Sequence, residues 1–410
     1  MENQLQLDVL NYKKDTYVIV EGRQNADCFY IVQKGNVRIS KEAAVEGEKS
    51  DLCGPGDFFG VISTLSFHSH IESAQALTDI VLIAVRQNQF VELIRKNPQI
   101  AIKIILQFSK RLRFLNETLA KLTLKNTTDE GPSHLYNVAE YYLNQKQNNH
   151  AMYAYGQYIK HCPDGKNIAA AKDKYAELES SIQQPEFNKN EINRTYIKNT
   201  MLFAEGEPGD ELFIIQKGSI KITKIVDNKE VLLAMLKPGD ILGEMALLEG
   251  KPRAASAVAY EDSDVMAVNK ANFELMIKTQ PQLMARITTL LADRIWLIYK
   301  QLANAQIENQ VGRMYDALLI QLEKNRVSLD GKKPYTFAFG QSELLNMVGL
   351  NEKEGNIFFT QMLGNKDIQI IDNKIHAAST AEILKQSEYF RKIDRIKKKQ
   401  TEKPPEEYPV

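Results

Sequence analysis

The sequence predicts an α+β chain of several domains: two copies of an antiparallel β unit, each followed by helices, a helical hairpin between them, and a smaller α/β module at the end. Three observations predict it. First, Phe29-Tyr30-Ile31-Val32-Gln33-Lys34-Gly35 echoes Leu212-Phe213-Ile214-Ile215-Gln216-Lys217-Gly218, an offset of 183 residues. The same offset aligns Pro55-Gly56-Asp57 with Pro238-Gly239-Asp240, Gly60 with Gly243, Ala84-Val85 with Ala267-Val268, and Phe90 with Phe273. Both stretches alternate apolar and polar residues between glycine turns, as short antiparallel strands do. Second, each copy runs into a proline-opened segment whose apolar residues recur three and four apart. Third, the pattern changes again from Val311 onward.

Composition narrows the class. The 410 residues suit two to four domains at roughly 150 residues each. Lys+Arg and Asp+Glu both total 52, so net charge directs the chain neither to nucleic acid nor to acidic membranes. A hydrophobic fraction of 43% is enough for packed cores. Met1-Glu2-Asn3-Gln4 lacks the basic and apolar regions of a secretory signal, and no run approaches the ~20 apolar residues of a membrane span. Cys28, Cys53 and Cys162 are odd in number and scattered, which argues for buried thiols over a disulfide framework or a metal site. A soluble cytoplasmic protein is expected.

The first copy occupies residues 1–125 and ends in a helix opened by Asn97-Pro98 and running through Ile104, Leu112 and Leu119. Residues 126–185 follow. There Asp129-Glu130-Gly131-Pro132-Ser133 reads as a linker ending in a helix cap. Leu135, Val138, Ala139, Tyr142, Ala151, Tyr155 and Pro163 then fall at the spacing of one tetratricopeptide repeat, with Tyr158 where that repeat has alanine. Asn167 through Glu179 supplies a third helix. One repeat rarely buries a core alone, so the hairpin is expected to pack on a β unit or on a symmetry mate.

The second copy, 186–310, carries the chemistry. Gly243-Glu244-Met245-Ala246-Leu247-Leu248, followed by Pro252-Arg253-Ala254-Ala255-Ser256, places one acid, one guanidinium and several small residues in a turn between apolar runs. Small residues let backbone N–H groups approach a ligand, and a helix start presents more of them. Arg253 offers a planar fork of donors matched to phosphate, and Glu244 accepts only, which suits a sugar hydroxyl. Together they describe a pocket for a sugar bearing a phosphate. In the first copy Val61 stands at the place of Glu244, and Ser69, His70 and Ile71 at those of Pro252, Arg253 and Ala254. That copy is expected to be structural or dimer-forming.

The segment resembles the phosphate-binding cassette of cyclic-nucleotide-binding domains, as found in the cyclic-AMP receptor protein family. The match extends through Gly206, Leu212-Phe213-Ile214-Ile215, Gly218 and Pro238-Gly239-Asp240. The resemblance implies two β jelly-roll barrels with flanking helices. It implies a nucleotide held by Gly243, Glu244, Met245, Ala246, Leu247, Arg253, Ala254, Ala255 and Ser256. Ala254 lacks the hydroxyl that favours guanine in the family, so cyclic AMP is expected over cyclic GMP as the allosteric ligand. The helix opened by Gln280-Pro281 runs through Ile287, Leu291, Ile295 and Leu302, and from Arg294 it aligns with the family's long dimerisation helix. Ile298 and Tyr299 fall where that helix meets the purine, Trp296 stands one turn away as a stacking candidate, and all three also suit a dimer core.

From Val311 the order reads as helix, strand pair, helix-turn-helix and strand pair, the last with a turn at Asp372-Asn373. Residues 311–386 resemble the family's winged helix-turn-helix. Where the family presents arginines on the reading helix, this chain has Glu352 and Ile357, with Lys353 the one cation of the first turn and Glu354 beside it. The DNA-contact candidates are Lys353, Lys366 and Lys374, with Lys332 and Lys333 as further phosphate contacts. The tail, 387–410, holds Arg391, Lys392, Arg395, Lys397, Lys398 and Lys399, then Glu402, Glu406 and Glu407, and reads as a solvated end.

The expected function is that of a homodimeric, cyclic-AMP-binding transcriptional regulator whose second barrel repositions the winged helix. A signalling adaptor acting through protein contacts is the alternative. No P-loop, His/Cys metal spacing or nucleophile–base signature marks an enzyme or a metal site.

Overall fold

The computed structural model describes residues 5–23, 26–41, 52–124, 131–180, 191–226, 228–329 and 333–401. Asp129 and Glu130 of the expected linker, Lys332, and the acidic residues Glu402, Glu406 and Glu407 lie outside the described residues, as do the side chains of Leu248, Lys398 and Lys399.

Among the described residues of the first copy eight strands form: β1 (Asp8–Tyr12), β2 (Tyr17–Ile19), β3 (Cys28–Lys34), β4 (Val37–Ser40), β5 (Leu52–Cys53), β6 (Phe58–Phe59), β7 (Ser73–Ala76) and β8 (Ile80–Arg86). They make two antiparallel four-stranded sheets, ordered β1-β8-β3-β6 and β2-β7-β4-β5, which is the order of a jelly roll. Alternation drives it: Val37 and Ile39 face the core while Arg38 and Ser40 face water. Helices α1 (Val61–Ser66), α2 (Phe90–Lys96) and α3 (Pro98–Leu124) complete the unit. Proline at the head of α3 fits a first turn whose amide has no helical partner.

A second jelly roll repeats the plan after the insert. Helices α4 (Leu135–Asn144), α5 (Asn148–His161) and α6 (Ile168–Glu179) come first. Then follow β9 (Asn193–Tyr196), β10 (Met201–Phe203), β11 (Glu211–Lys217), β12 (Ile220–Val226), β13 (Lys229–Leu236), β14 (Ile241–Leu242), β15 (Ser256–Ala259) and β16 (Ser263–Asn269), with α7 (Glu244–Glu249), α8 (Lys270–Thr279) and α9 (Pro281–Ala305). Sheets β14-β11-β16-β9 and β10-β15-β12-β13 match those of the first copy. Even the register is kept: Phe29 pairs with Val85 and, 183 residues on, Leu212 with Val268.

The long helices α3 and α9 pack on one another within the chain. They cross over, so that α1 packs on α9 and α7 packs on α3. One continuous core therefore runs through both barrels, holding Phe29, Leu65, Ile104 and Leu112 together with Leu247, Ile277, Leu291, Ile295, Trp296, Ile298 and Tyr299. The apolar face of α9 that the sequence offered to a second subunit is buried here by the chain's own first barrel.

The insert packs on the second barrel. Leu135, Val138, Tyr142, Ala151, Tyr155 and Tyr158 share a core with Met201, Ala204, Ile225 and Val258. Tyr158 closes the end of α5, its hydroxyl accepting from the amide of Asn167 at 3.2 Å. Polar ties join the layers as well, among them His150 to the carbonyl of Asn199, Tyr142 to Glu230, Tyr153 to Glu207, and His134 to Glu205.

The C-terminal module comprises α10 (Gln310–Lys324), β17 (Tyr335–Thr336), α11 (Gln341–Met347), α12 (Glu352–Leu363), β18 (Ile368–Ile371), β19 (Lys374–Ala377) and α13 (Thr380–Thr401). Where a first strand pair was expected, the described residues contain the single strand β17, which pairs with β19 in a sheet ordered β17-β19-β18. Asp372 and Asn373 both take positive φ, 49° and 60°, as a two-residue hairpin turn requires. Residues 387–401 of the tail expected as a solvated end are instead the continuation of α13. Ile383, Leu384 and Phe390 bury its inner face against the module's core. Arg391 Nε donates to Asp316 Oδ1 at 2.7 Å. At its other end the module reaches the first barrel: Arg326 donates to the carbonyl of Ser66 at 3.4 Å and lies over the ring of Phe67.

Candidate ligand-binding site in the second barrel

Gly243 caps α7 at φ 79°, and Gly60 caps α1 at φ 76° in the first barrel. Left-handed backbone at this point turns a strand end into a helix start, and a side chain there would be strained. A Cβ on Gly243 would also overlap the guanidinium of Arg253. Backbone and arginine are thus fitted to each other.

Arg253 is 5% exposed. Its Nη1 donates to the carbonyl of Gly243 at 2.6 Å and its Nη2 to that of Glu211 at 2.7 Å. The guanidinium lies 4.3 Å above the ring of Phe203. Nε is buried without a hydrogen-bond partner among the described residues. Burial pulls the guanidinium below its usual pKa range, opposed chiefly by Glu207, and the same burial pushes the carboxyl of Glu207 up. A buried arginine with an uncommitted donor and, among the described residues, no carboxylate in contact is arranged to receive an anion.

Glu207 supports Arg253 from behind. The amide of Arg253 donates to the carbonyl of Glu207 at 2.8 Å, and the amide of Gly206 to the carbonyl of Arg253 at 2.8 Å. The Glu207 carboxylate accepts from the amide of Ala204 at 3.0 Å and from the Tyr153 hydroxyl at 3.0 Å. Neither Glu207 nor Glu211 was singled out from sequence, since both lie far from the cassette along the chain.

Glu244 is 1% exposed and accepts from Arg294 Nη1 at 2.9 Å through Oε1. Met245, Ala246 and Leu247 build α7 behind it, with Ala246 and Leu247 buried and Met245 half-buried. Ala254 and Ala255 are half-buried. The Ser256 hydroxyl accepts from the amide of Glu205 at 2.9 Å, which ties it to the strand bridge.

Trp296 and Tyr299 do not join this group. Trp296 stacks on His68 with ring centroids 3.9 Å apart and donates from Nε1 to the carbonyl of Ser69 at 3.3 Å. The Tyr299 hydroxyl accepts from Lys41 at 2.7 Å and from Arg111 Nε at 2.8 Å. Both therefore serve the first barrel, because α9 crosses toward α1. Ile298 is buried in the core shared by the barrels.

The first cassette keeps the backbone path and changes the chemistry. Gly22 donates to the carbonyl of His70 and His70 to that of Arg23, mirroring Gly206, Arg253 and Glu207. The amide of Gly60 is taken by Glu72 Oε1 at 3.0 Å, and Arg111 faces the other oxygen at 3.7 Å. The second cassette has Ala255 at that place. The signal was readable, since Glu72 is the one carboxylate between Asp57 and Asp79.

On the C-terminal module Lys353, Lys366 and Lys374 are all exposed, on α12, in the turn after it and at the start of β19. Lys333 is exposed as well. Glu352 and Glu354 share the first turn of α12, and Ile357 is 71% exposed on its outer face. Cys53 is buried, and Cys28 and Cys162 are half-buried. Among the described residues no cluster of His, Cys, Asp and Glu is placed to hold a metal ion, and no helix is long and apolar enough to cross a membrane.

The model of the cyclic nucleotide-binding domain matches residues 9–97 and 193–280, the two jelly rolls. Among curated proteins, the CRP-like cAMP-activated global transcriptional regulator of Mycobacterium tuberculosis is 28% identical over 156 residues, 38% of this chain and 70% of that protein. The cyclic AMP receptor protein of Thermus thermophilus is 31% identical over 127 residues, 31% of this chain and 59% of that one. The cAMP-activated global transcriptional regulator CRP of Salmonella typhimurium is 29% identical over 126 residues, 30% and 60%. The matched part thus spans between 59% and 70% of these relatives. Fold and cassette define a protein with two cyclic nucleotide-binding domains. Over about a third of its length the chain is similar to CRP-like, cAMP-activated transcriptional regulators.

Proposed function

We propose that the chain is a cyclic-nucleotide-responsive transcriptional regulator and not an enzyme, acting in the cytoplasm, with cyclic AMP as the allosteric ligand of the second barrel. One observation carries the reading: Arg253 is buried with an unpartnered Nε beside the left-handed Gly243, whereas the matching place in the first barrel holds His70 and an internal carboxylate, Glu72. The residues fit the ligand. A phosphate takes the Arg253 Nε–H and the first amides of α7, which have no partner within the helix. Glu244 keeps Oε2 for a ribose hydroxyl while Arg294 holds Oε1. Ala254 offers no hydroxyl to a guanine amino group, which favours adenine.

The insert is read as a single tetratricopeptide-like hairpin and the C-terminal module as a winged helix-turn-helix with α12 as its reading helix. Lys353, Lys366 and Lys374 are the proposed phosphate contacts on duplex DNA. The long helices that would pair between two copies in a homodimer pair within this chain, so a single chain completes the ligand site. Trp296 and Tyr299 are not part of that site, because the first barrel already engages them.

Isothermal titration with cyclic AMP tests the reading. Arg253→Ala is expected to lose at least ~2 kcal/mol of binding free energy, since a charged hydrogen bond to phosphate disappears. An unchanged titration, or tighter binding of cyclic GMP by the wild type, contradicts the assignment. A mobility shift whose affinity falls steeply with salt tests the DNA contacts. A second reading, docking to a protein, is favoured by exposed Ile357 beside Glu352 and Glu354, and absence of any shift would select it.

A further inference from the structure

We propose that Arg113, on the long helix of the first barrel, is a positioning residue for the ligand cassette of the second barrel. A barrel without ligand chemistry of its own thereby sets the affinity of its neighbour. The proposal rests on the reading of the second barrel as the nucleotide site.

Helix α3 packs against α7, and Arg113 is buried at that contact. Its Nε donates to Glu249 Oε2 at 3.0 Å and its Nη1 to the carbonyl of Pro252 at 3.4 Å. One turn earlier, Ser109 Oγ donates to Glu249 Oε1 at 2.9 Å. Glu249 is the last residue of α7, and Pro252 directly precedes Arg253. Between them the chain reverses at Gly250, whose φ is +65°. Both ends of the loop that delivers Arg253 are therefore gripped from the other barrel. Side chains of Arg113 and Glu249 are 4% and 5% exposed, so the pair is desolvated and its geometry is demanding. Nη2 is buried without a hydrogen-bond partner among the described residues.

The repeat shows why this contact is more than packing. Trp296 donates to the carbonyl of Ser69, and Arg113 donates to the carbonyl of Pro252; donor and acceptor are each displaced by 183 residues. The same crosswise contact is made twice with different chemistry. On the first barrel an indole stacks on His68, and Ser66 stands where Glu249 stands on the second. On the second barrel an ion pair replaces the stack. The charged clamp falls on the cassette that carries Glu244 and Arg253.

Two measurements on the full chain test this. Amide hydrogen exchange of the ligand-free protein reads the clamp directly. With Arg113→Met, exchange of residues 245–253 is expected to rise about tenfold or more, with α5 unchanged. Arg113→Lys keeps charge on Glu249 but cannot serve Pro252 as well, so its rise is expected to be smaller. Titration with cyclic AMP then reads the consequence: the Kd rises about tenfold for Arg113→Met and less for Arg113→Lys. Ser109→Ala removes one donor without stranding a charge, and should raise exchange in 245–253 even if Arg113→Met does not fold. Unchanged exchange there, or a rise spread over both barrels, overturns the clamp, and faster exchange with an unchanged Kd overturns its role in affinity. Failure of the wild type to bind cyclic AMP would sink the nucleotide reading, while exchange still decides on the clamp.

Discussion

Arg294 Nη1 donates to Glu244 Oε1 at 2.9 Å, tying the long helix of the second barrel to the carboxylate of its cassette. Two residues further along the same helix, Trp296 stacks on His68 of the first barrel. A hydroxyl that arrives at Glu244 therefore acts on a helix whose next contact lies in the other barrel. The chain contains one tryptophan, so its emission reports on the surroundings of Trp296, His68 and Lys300 among them. We expect cyclic AMP to change Trp296 fluorescence in the wild type and Arg294→Ala to remove more than about half of the change, since the link from sugar site to helix is gone. An equal change in the variant would show that the signal does not pass through this pair.

Asp316 is fully buried and joins three helices. It accepts from Arg391 Nε at 2.7 Å, Ser387 Oγ at 2.8 Å and Asn304 Nδ2 at 3.0 Å. Arg391→Ala leaves the carboxylate without a cation, and we expect a loss of about 3 kcal/mol in chemical denaturation of the C-terminal module. Arg391→Lys should recover part of it. A loss under about 0.5 kcal/mol would mean that α13 is held by its apolar face alone.

Glu21 in the first barrel faces Lys300 of α9 and Arg391 and Arg395 of α13. Burial pushes its carboxyl up from 4.5 to about 7 despite these cations, with Glu72 adding to the rise. The folded value lies above the unfolded one. The group's contribution to stability is therefore full below the unfolded value and is lost as pH rises through about 7. Relative to Glu21→Gln, the wild type should lose stability between pH 5 and pH 8, by no more than about 3 kcal/mol. Melting curves at the two pH values check this, and a gap that does not vary with pH would contradict it.

Much of this architecture is legible in the sequence, because its signals are local. Glycines at positions 60 and 243 mark the same left-handed cap in each copy. Pro98 and Pro281 mark the starts of the two long helices, and Asp372-Asn373 marks the hairpin turn. What the sequence hides is partnership across long separations. The apolar stripe of α9 shows that Trp296 and Tyr299 are buried but not that they cross to the first barrel, since periodicity names a face and not its occupant. Glu207 backs Arg253 from 46 positions away through its backbone carbonyl, a contact that no side-chain pattern encodes. The run of lysines and arginines after residue 390 masks the spacing of Ile383, Leu384 and Phe390, so a docked helix reads as a solvated tail.

The asymmetry of the two cassettes is the central claim, and ligand stoichiometry tests it most directly. Native mass spectrometry of the full chain with saturating cyclic AMP should show one nucleotide per chain. At the lowest concentration that saturates the wild type, it should show clearly less than one for Arg253→Ala and still one for His70→Ala. Two nucleotides per chain, or an occupancy undiminished by Arg253→Ala, would contradict the account.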